Sequence, residues 1–263
     1  VVIKLGGRAL EHPGALAQLS DELRELGRAA VIVHGGGGEV SAWCARLGLA
    51  SRFSDGLRVT DPATLEVAAA VLAGLANKRL VAALRSRGVD ALGLAALDAG
   101  LARVTPHADA DRLGEVGEVR AIETSWLDRL MAEGRIPVLS SLGADGARLL
   151  NLNADDLAAA LAGALRAALL LLSDVQGVRL GGRVAMRLEI SEIARALESP
   201  EVTGGMVPKL RAAERAIELG ASEVWIAPWA GPGTLAALLS GRAPGTQITR
   251  GEADSATLEA RHA

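Results

Sequence analysis

The stretch Ala29-Ala-Val-Ile-Val-His-Gly-Gly-Gly-Gly38 decides the fold. Ala29 to Val33 is apolar without alternation, so the strand it predicts is covered on both faces, as in a parallel sheet flanked by helices. Four glycines follow, and then a helix from Glu39 to about Leu47. Strand, glycine loop and helix N-terminus together suit an anion, because unpaired amides and the helix dipole point at it. A tight turn that lets helix and strand pack closely reads equally well from this stretch alone. The spacing is not Gly-x-Gly-x-x-Gly and no Gly-Lys-Ser/Thr follows, so neither the dinucleotide fingerprint nor the P-loop applies.

Moving outward, Val1-Val-Ile-Lys-Leu-Gly-Gly-Arg-Ala-Leu10 predicts a second buried strand that delivers Lys4 into a glycine turn. Backbone amides approach a polyanion closely where no Cβ intervenes, and an ammonium adds a full charge. Lysine usage sharpens this reading. Only Lys4, Lys78 and Lys209 are lysines among the 28 basic side chains. Lys4 precedes Gly6-Gly7 and Lys209 follows Gly204-Gly205. Where arginine is the default, a retained lysine indicates a need for a compact ammonium. Lys78, beside Asn77 and Arg79, reads as a solvated or subunit-contacting residue.

The remaining chain alternates helix and strand. Helices are expected from His12 to Arg28, from Pro62 to Arg87 with a kink near Gly74, from Thr124 (as N-cap) to Glu133, from Asp155 into a long apolar run, from Ser191 to Glu198, from Lys209 to Leu219, and from Leu235 to Leu239. Strands are expected at Val89–Leu97, Ile136–Ser141, Leu169–Leu172 and Glu223–Ala227, with Thr246–Thr249 as a last edge strand and a frayed tail after Gly251. Residues 102–120 read as a hairpin. Ser54 to Asp61 reads as a polar loop and Gly143-Ala-Asp-Gly146 as a turn. This pattern gives a three-layer α/β sandwich with a mainly parallel sheet.

Two polar clusters stand out. Asn151-Leu-Asn-Ala-Asp155 opens a helix with more capping side chains than one cap uses, so a ligand contact competes with plain capping. Ser173-Asp-Val-Gln-Gly177 ends a buried strand, where nucleotides sit in open α/β sheets, although a plain turn fits equally. Arg58 reads either as a carboxylate clamp or as a surface arginine. His34 reads as ordering its turn rather than acting as a base. A net charge of −3 gives no reason to expect nucleic acid or an anionic membrane as a partner. Cys44 is the single cysteine, which excludes an intrachain disulfide and a cysteine-based zinc cluster, and fits a reducing cytoplasm. The apolar runs read as too short or interrupted to span a bilayer.

Taken together, Lys4-Leu-Gly-Gly7, His34-Gly-Gly-Gly37, Gly56-Leu-Arg-Val-Thr60, Asn151-Leu-Asn-Ala-Asp155 with Ser173-Asp-Val-Gln-Gly177, and Gly204-Gly-Met-Val-Pro-Lys209 give a sequence that resembles the amino-acid kinase family. The resemblance covers nearly the whole chain. Within the family it is similar to the branch that phosphorylates N-acetyl-L-glutamate in arginine synthesis. It implies the three-layer αβα fold shared with carbamate kinases, as one domain over 1–263. An N-lobe of about 1–165 would bind acetylglutamate and dimerise, and a C-lobe of about 166–263 would bind ATP. It further implies Lys4 and Lys209 as stabilisers of the transferring phosphoryl group and Asp155 as the residue that orients both. Gly36, Gly37, Arg58, Asn151 and Asn153 would contact the acceptor. Gly6, Gly7, Ser173, Asp174, Val175, Gly177, Val178, Arg179, Glu201, Val202, Thr203 and Gly205 would contact ATP and its phosphates. Mg²⁺ would be held by ATP and water, without a dedicated ligand cluster. Gly38 and Arg8 depart from the family pattern. Arginine-inhibited relatives carry an extra N-terminal helix, so a chain opening at its first strand is expected to be an arginine-insensitive homodimer. The rivals are a kinase for an α-aminoadipate derivative and a non-catalytic nucleotide or metabolite sensor.

Overall fold

The computed structural model describes residues 1–6, 14–27 and 29–251. The expectations for Gly7, for Arg8 and for the tail beyond Gly251 lie outside the described residues. An eight-stranded sheet forms the centre, in the order Arg187–Glu189, Thr246–Thr249, Val224–Pro228, Leu169–Ser173, Val2–Leu5, Val31–His34, Ile136–Ser140, Ala91–Ala95. All neighbours run parallel except Val224–Pro228 against Thr246–Thr249. The middle strands are buried along their whole length, as their unbroken apolar runs require.

Alternation along the strands divides the core between two helical layers. Val2, Val33, Leu169 and Leu171 pack with the Ala154–Ala164 and Met206–Glu218 helices. Ile3, Ile32 and Leu170 pack with Leu19, Leu84 and Leu235 of the opposite layer. Lys4 follows the parity of Val2 and therefore emerges toward the Ala154–Ala164 helix. A second sheet, ordered Ala102–Pro106, Val116–Ile122, Arg148–Leu152, Leu142–Asp145, lies beyond it.

Several local expectations are corrected. Gly143-Ala-Asp-Gly146 is not a turn: Leu142–Asp145 pairs antiparallel with Arg148–Leu152, and the chain reverses at Gly146 and Ala147. Ser54 to Asp61 is not a plain loop, because Arg52–Ser54 and Leu57–Val59 form a tight hairpin. Thr246–Thr249 is not at the edge; Arg187–Glu189, a strand absent from the sequence reading, covers it. Thr124 stands at its helix start without a side-chain cap bond, and Glu123 Oε1 instead accepts from Ser125 N at 3.2 Å. The kink expected near Gly74 is a π-helical turn, Ala70–Ala76, set inside a continuous helix from Pro62 to Arg85. That helix is 24 residues long and is apolar enough to cross a bilayer by length and composition. One stripe of it packs into the core and carries the fully buried Asn77.

Candidate active site

The site lies at the carboxyl ends of the central strands, where ligands collect in open parallel sheets. Asp155 is the pivot. Asn153 caps the Ala154–Ala164 helix, its side chain accepting from Asp155 N at 2.8 Å and Asp156 N at 3.2 Å. This fixes Asp155 in the first helical turn, where a carboxylate is favoured by the dipole. Lys4 Nζ lies 2.7 Å from Asp155 Oδ1. Lys209 Nζ donates to Asp155 Oδ2 at 3.2 Å. All three are largely buried, with side-chain exposures of 8% for Lys4, 7% for Asp155 and 14% for Lys209. Burial pushes the Asp155 carboxyl up, but the charges of Lys4 and Lys209 outweigh it and hold the group below the usual carboxylate range.

Lys209 sits in the first turn of the Met206–Glu218 helix. A cation there opposes the helix dipole. The cluster carries two positive charges and one negative, so it holds one uncompensated positive charge in a nearly dry place. Such an arrangement is complementary to an anion that enters it. Asp156, next in sequence, has its pKa raised to about 6, chiefly by burial, with Arg215 opposing.

A cavity of about 200 Å³ opens beside the cluster. Lys4, Gly36, Gly37, Arg58, Asn151, Asn153 and Asp155 all line it, so the expected acceptor residues converge on one space. Arg58 projects from the Leu57–Val59 strand and is held firmly. Its Nη2 donates to Gly37 O at 2.6 Å and to Ser41 Oγ at 2.8 Å, and its Nη1 donates to Ser51 Oγ at 3.0 Å. The Phe53 ring lies under the guanidinium at 4.7 Å. Three of five N–H donors are thus in use, which leaves one on Nη1 and the Nε–H for a ligand. Asn151 Nδ2 donates to Thr60 Oγ1 at 3.1 Å, which turns the amide oxygen loose for another partner.

The residues expected at the nucleotide are arranged otherwise. Gly6 N donates to Leu172 O at 2.8 Å, so this amide extends the sheet and is not offered to a phosphate as expected. What Gly6 supplies is proximity: a Cβ there would lie 2.9 Å from Leu172 O and 3.4 Å from Ser173 Cβ. Val175 N lies 3.5 Å from Ser173 Oγ. Val178 is buried and its N–H donates to Thr246 Oγ1 at 2.8 Å, with Gly177 packed against the same threonine. Arg179 Nη2 donates to Gly182 O, and Glu201 accepts from Gly182 N at 3.0 and 3.2 Å. Val202 is buried, Thr203 O accepts from Met206 N, and Gly205 stands at the start of the Met206–Glu218 helix. Asp174 follows Ser173 at the strand end. These residues do not share the cavity around Lys4. The two regions meet where Gly56, at the tip of the Arg52–Val59 hairpin, packs on Pro208 and Gly204.

Sequence reasoning missed Ser41, Ser51, Phe53 and Ser141. Ser41, Ser51 and Phe53 hold Arg58, and Ser141 lines the cavity just past the Ile136–Ser140 strand. Only the position of Ser141 at a strand end carried a signal. Among the described residues no group of three or more His, Cys, Asp or Glu side chains could hold a metal ion.

The amino acid kinase family model matches residues 1–228. The acetylglutamate kinase of Chloroflexus aurantiacus is 44% identical over 255 residues, covering 95% of this chain and 97% of the relative. That of Methanopyrus kandleri is 43% identical, covering 92% and 97%. Among solved structures, smu.665 from Streptococcus mutans UA159 superimposes with a TM-score of 0.82 at 29% identity, covering 95% of this chain and 98% of that one.

Proposed function

We infer, from the premise that this chain belongs to the amino acid kinase family, that it transfers the γ-phosphoryl group of ATP to the γ-carboxylate of N-acetyl-L-glutamate. The product is N-acetyl-L-glutamyl 5-phosphate, an intermediate of arginine biosynthesis. The relatives that carry this activity match nearly the full chain. The single observation that carries the chemistry is the buried pair of ammonium groups, Lys4 and Lys209, sharing the carboxylate of Asp155.

Phosphoryl transfer between oxygens needs positioning and charge neutralisation more than covalent help. A carboxylate oxygen of the acceptor bonds to the γ-phosphorus as the bond to the bridging oxygen breaks. The electron pair leaves on ADP, and no proton has to move. Lys4 lies toward the acceptor cavity and Lys209 toward the nucleotide, so each neutralises one side of the migrating group. Asp155 keeps the two ammoniums apart in a fixed geometry. Arg58 and Asn151 bind the acceptor's α-carboxylate end, and Gly36 and Gly37 bring backbone close to it. The segment from Ser173 to Arg179, with Glu201, Val202, Thr203 and Gly205, borders the nucleotide. The substrate is the magnesium complex of ATP, whose metal is held by phosphate and water oxygens.

Residues 1–165 form the acceptor lobe and residues 166–263 the nucleotide lobe of one domain. Two copies pair through the open apolar face of the Pro62–Arg85 helix; only 28% of its most apolar window is buried within one chain. Leu92, on the adjoining edge strand, is 36% exposed. The protein works in the cytoplasm, which suits its single reduced cysteine.

The test is a hydroxamate assay with MgATP and a panel of acceptor acids. Acyl phosphate is expected from N-acetyl-L-glutamate, and less from the homologue one methylene longer. That discrimination is worth only about 1–3 kcal/mol. ATP binding with no hydroxamate from any acid would point to a sensor instead.

A further inference from the structure

On the face of the sheet opposite Asp155 lies a buried polar cluster that phosphoryl transfer does not use. Asn77 is 0% exposed and His34 is 4% exposed. Asn77 Nδ2 lies 2.9 Å from Val138 O and 3.0 Å from His34 Nε2. Lys78 Nζ lies 3.0 Å from Asn77 Oδ1 and 3.2 Å from Gly93 O. Lys78 is exposed, as a solvated residue is, and its ammonium also reaches Asn77 and Gly93.

These contacts leave one arrangement of protons. A carbonyl only accepts and an ammonium only donates. The NH₂ of Asn77 must face Val138, and its oxygen must face Lys78. The second amide hydrogen then points at His34 Nε2, which has to accept. The imidazole proton is on Nδ1, from which it donates to Gly35 O at 2.9 Å. Gly35 opens the glycine loop that borders the acceptor cavity. The fold makes room for this amide: a Cβ at Gly93 would stand 2.1 Å from Asn77 Oδ1. The π-helical turn Ala70–Ala76 ends immediately before Asn77. Such insertions shift the helical frame and collect at functional positions.

We propose that Asn77 is a positioning residue: it locks His34 as the neutral Nδ1–H tautomer, and His34 in turn pins the Gly35 carbonyl so that the loop Gly35–Gly37 keeps its backbone aimed into the cavity. The lock stands on geometry alone, whereas its effect on turnover rests on the kinase reading above. Electrostatics agrees with the neutral ring. Burial lowers the pKa of His34, the Gly35 bond raises it, Lys78 lowers it and Glu39 raises it, with a net shift downward. Lys78 and Glu39 are the charged groups that face the ring, and Glu39 is itself paired with Arg79 at 2.6 Å.

Nitrogen-15 NMR of the full chain reads the tautomer directly, from about pH 5 to about pH 8. His34 is expected to show the Nδ1–H tautomer at neutral pH, and the KM for the acceptor acid is expected to stay flat from neutral pH upward. In Asn77→Asp a carboxylate faces Nε2, so His34 becomes an imidazolium. The acceptor KM should then rise about 10- to 100-fold and should follow the new His34 titration, with the KM for ATP little changed. Should that variant fail to fold, Asn77→Ala removes the donor to Nε2 altogether, and the acceptor KM should rise as the Nδ1–H population of His34 falls. An Nε2–H tautomer in the unaltered protein overturns the proposal. So does an imidazolium at His34 in Asn77→Asp with unchanged acceptor kinetics. Failure of the kinase reading shows up separately, as absence of acyl phosphate with the Nδ1–H signal intact.

Discussion

Around Lys4 the polar side chains converge on a shared space, whereas between Ser173 and Gly205 they are spent on one another. On the acceptor side Arg58 lines the cavity, and its bonds to Gly37, Ser41 and Ser51 use only three of its five N–H donors. On the nucleotide side Glu201 grips Gly182, Arg179 bonds the Gly182 carbonyl, and the Val178 amide is taken by Thr246. Under the proposed function the difference bears on how each half would recognise its ligand. A small acid with two carboxylates has to be caught by charged side chains fixed in advance, because it offers little surface to bury. A nucleotide offers a large flat base and a sugar, and a groove of braced loops can hold those by shape. The acceptor half is therefore the more vulnerable to single charge changes, and the nucleotide half to loosening of its loops.

Lys209 belongs to both halves, so its replacement breaks the contrast most severely. Lys209→Arg keeps the charge but puts a planar fork where a compact ammonium meets Asp155 in a nearly buried position. Turnover is expected to fall about 10²- to 10³-fold, the loss typical of removing one transition-state donor. The apparent constant for ATP should rise only a few-fold, about 1 kcal/mol or less. Equal losses in both constants would make Lys209 an ordinary binding residue and would dissolve the division of labour between the two lysines. Steady-state kinetics with each substrate varied in turn gives the answer.

Arg58→Lys tests the acceptor half by itself. A lysine cannot reach Gly37, Ser41 and Ser51 together, so the charge is no longer held in place. The KM for the acid should rise about 10- to 150-fold, equivalent to the roughly 1.5–3 kcal/mol of a hydrogen bond to a charged group. Turnover and the ATP constant should stay within about threefold. If the ATP constant climbs equally, the two halves are not separable and the comparison is wrong. Isothermal titration with the acid alone offers an independent check.

The same contrast governs what could be read from the sequence. Most of the central sheet was legible because its inner strands are largely apolar runs ended by glycine or a polar turn, a pattern set by burial on both faces, whereas Arg187–Glu189 carries a single apolar residue and gave no such run. Lys4 and Lys209 were legible because lysine is rare here and glycines stand beside both, whereas their meeting at Asp155 was implied only by the family resemblance. The Leu142–Asp145 strand was hidden, since its Gly-Ala-Asp-Gly ending has turn composition and only its pairing with Arg148–Leu152 makes it a strand. Asn77 was hidden for a sharper reason. The buried positions of its helix run Thr64, Val67, Ala68, Val71, Leu72 and then Asn77, a step of five that no regular α-helix makes. The π-helical turn absorbs that step, and a reading at 3.6 residues per turn sends Asn77 outward. The serines behind Arg58 gave no sign, because a hydroxyl that supports another side chain has no spacing of its own.

The mildest prediction separates a brace from a contact in the nucleotide half. Glu201 accepts from the Gly182 amide with both carboxylate oxygens, and Arg179 Nε lies 3.8 Å from one of them. Its side chain is 31% exposed, so salt screens the charge and the pair contributes little. Glu201→Gln keeps one acceptor and removes the charge. The constant for ATP should rise about two- to fivefold, the acceptor constant should not move, and high salt should weaken ATP binding by a similar small factor in the unaltered protein. Hydrogen exchange decides what the carboxylate does. If it braces the Arg179–Val184 hairpin, the Gly182 amide should exchange faster in Glu201→Gln whether or not nucleotide is present. A carboxylate that touches the nucleotide itself would leave exchange in the free protein unchanged and would reveal its loss only when ATP is added. That second outcome would mean the nucleotide half also aims a charged side chain at its ligand, and the two halves would then differ in degree and not in kind.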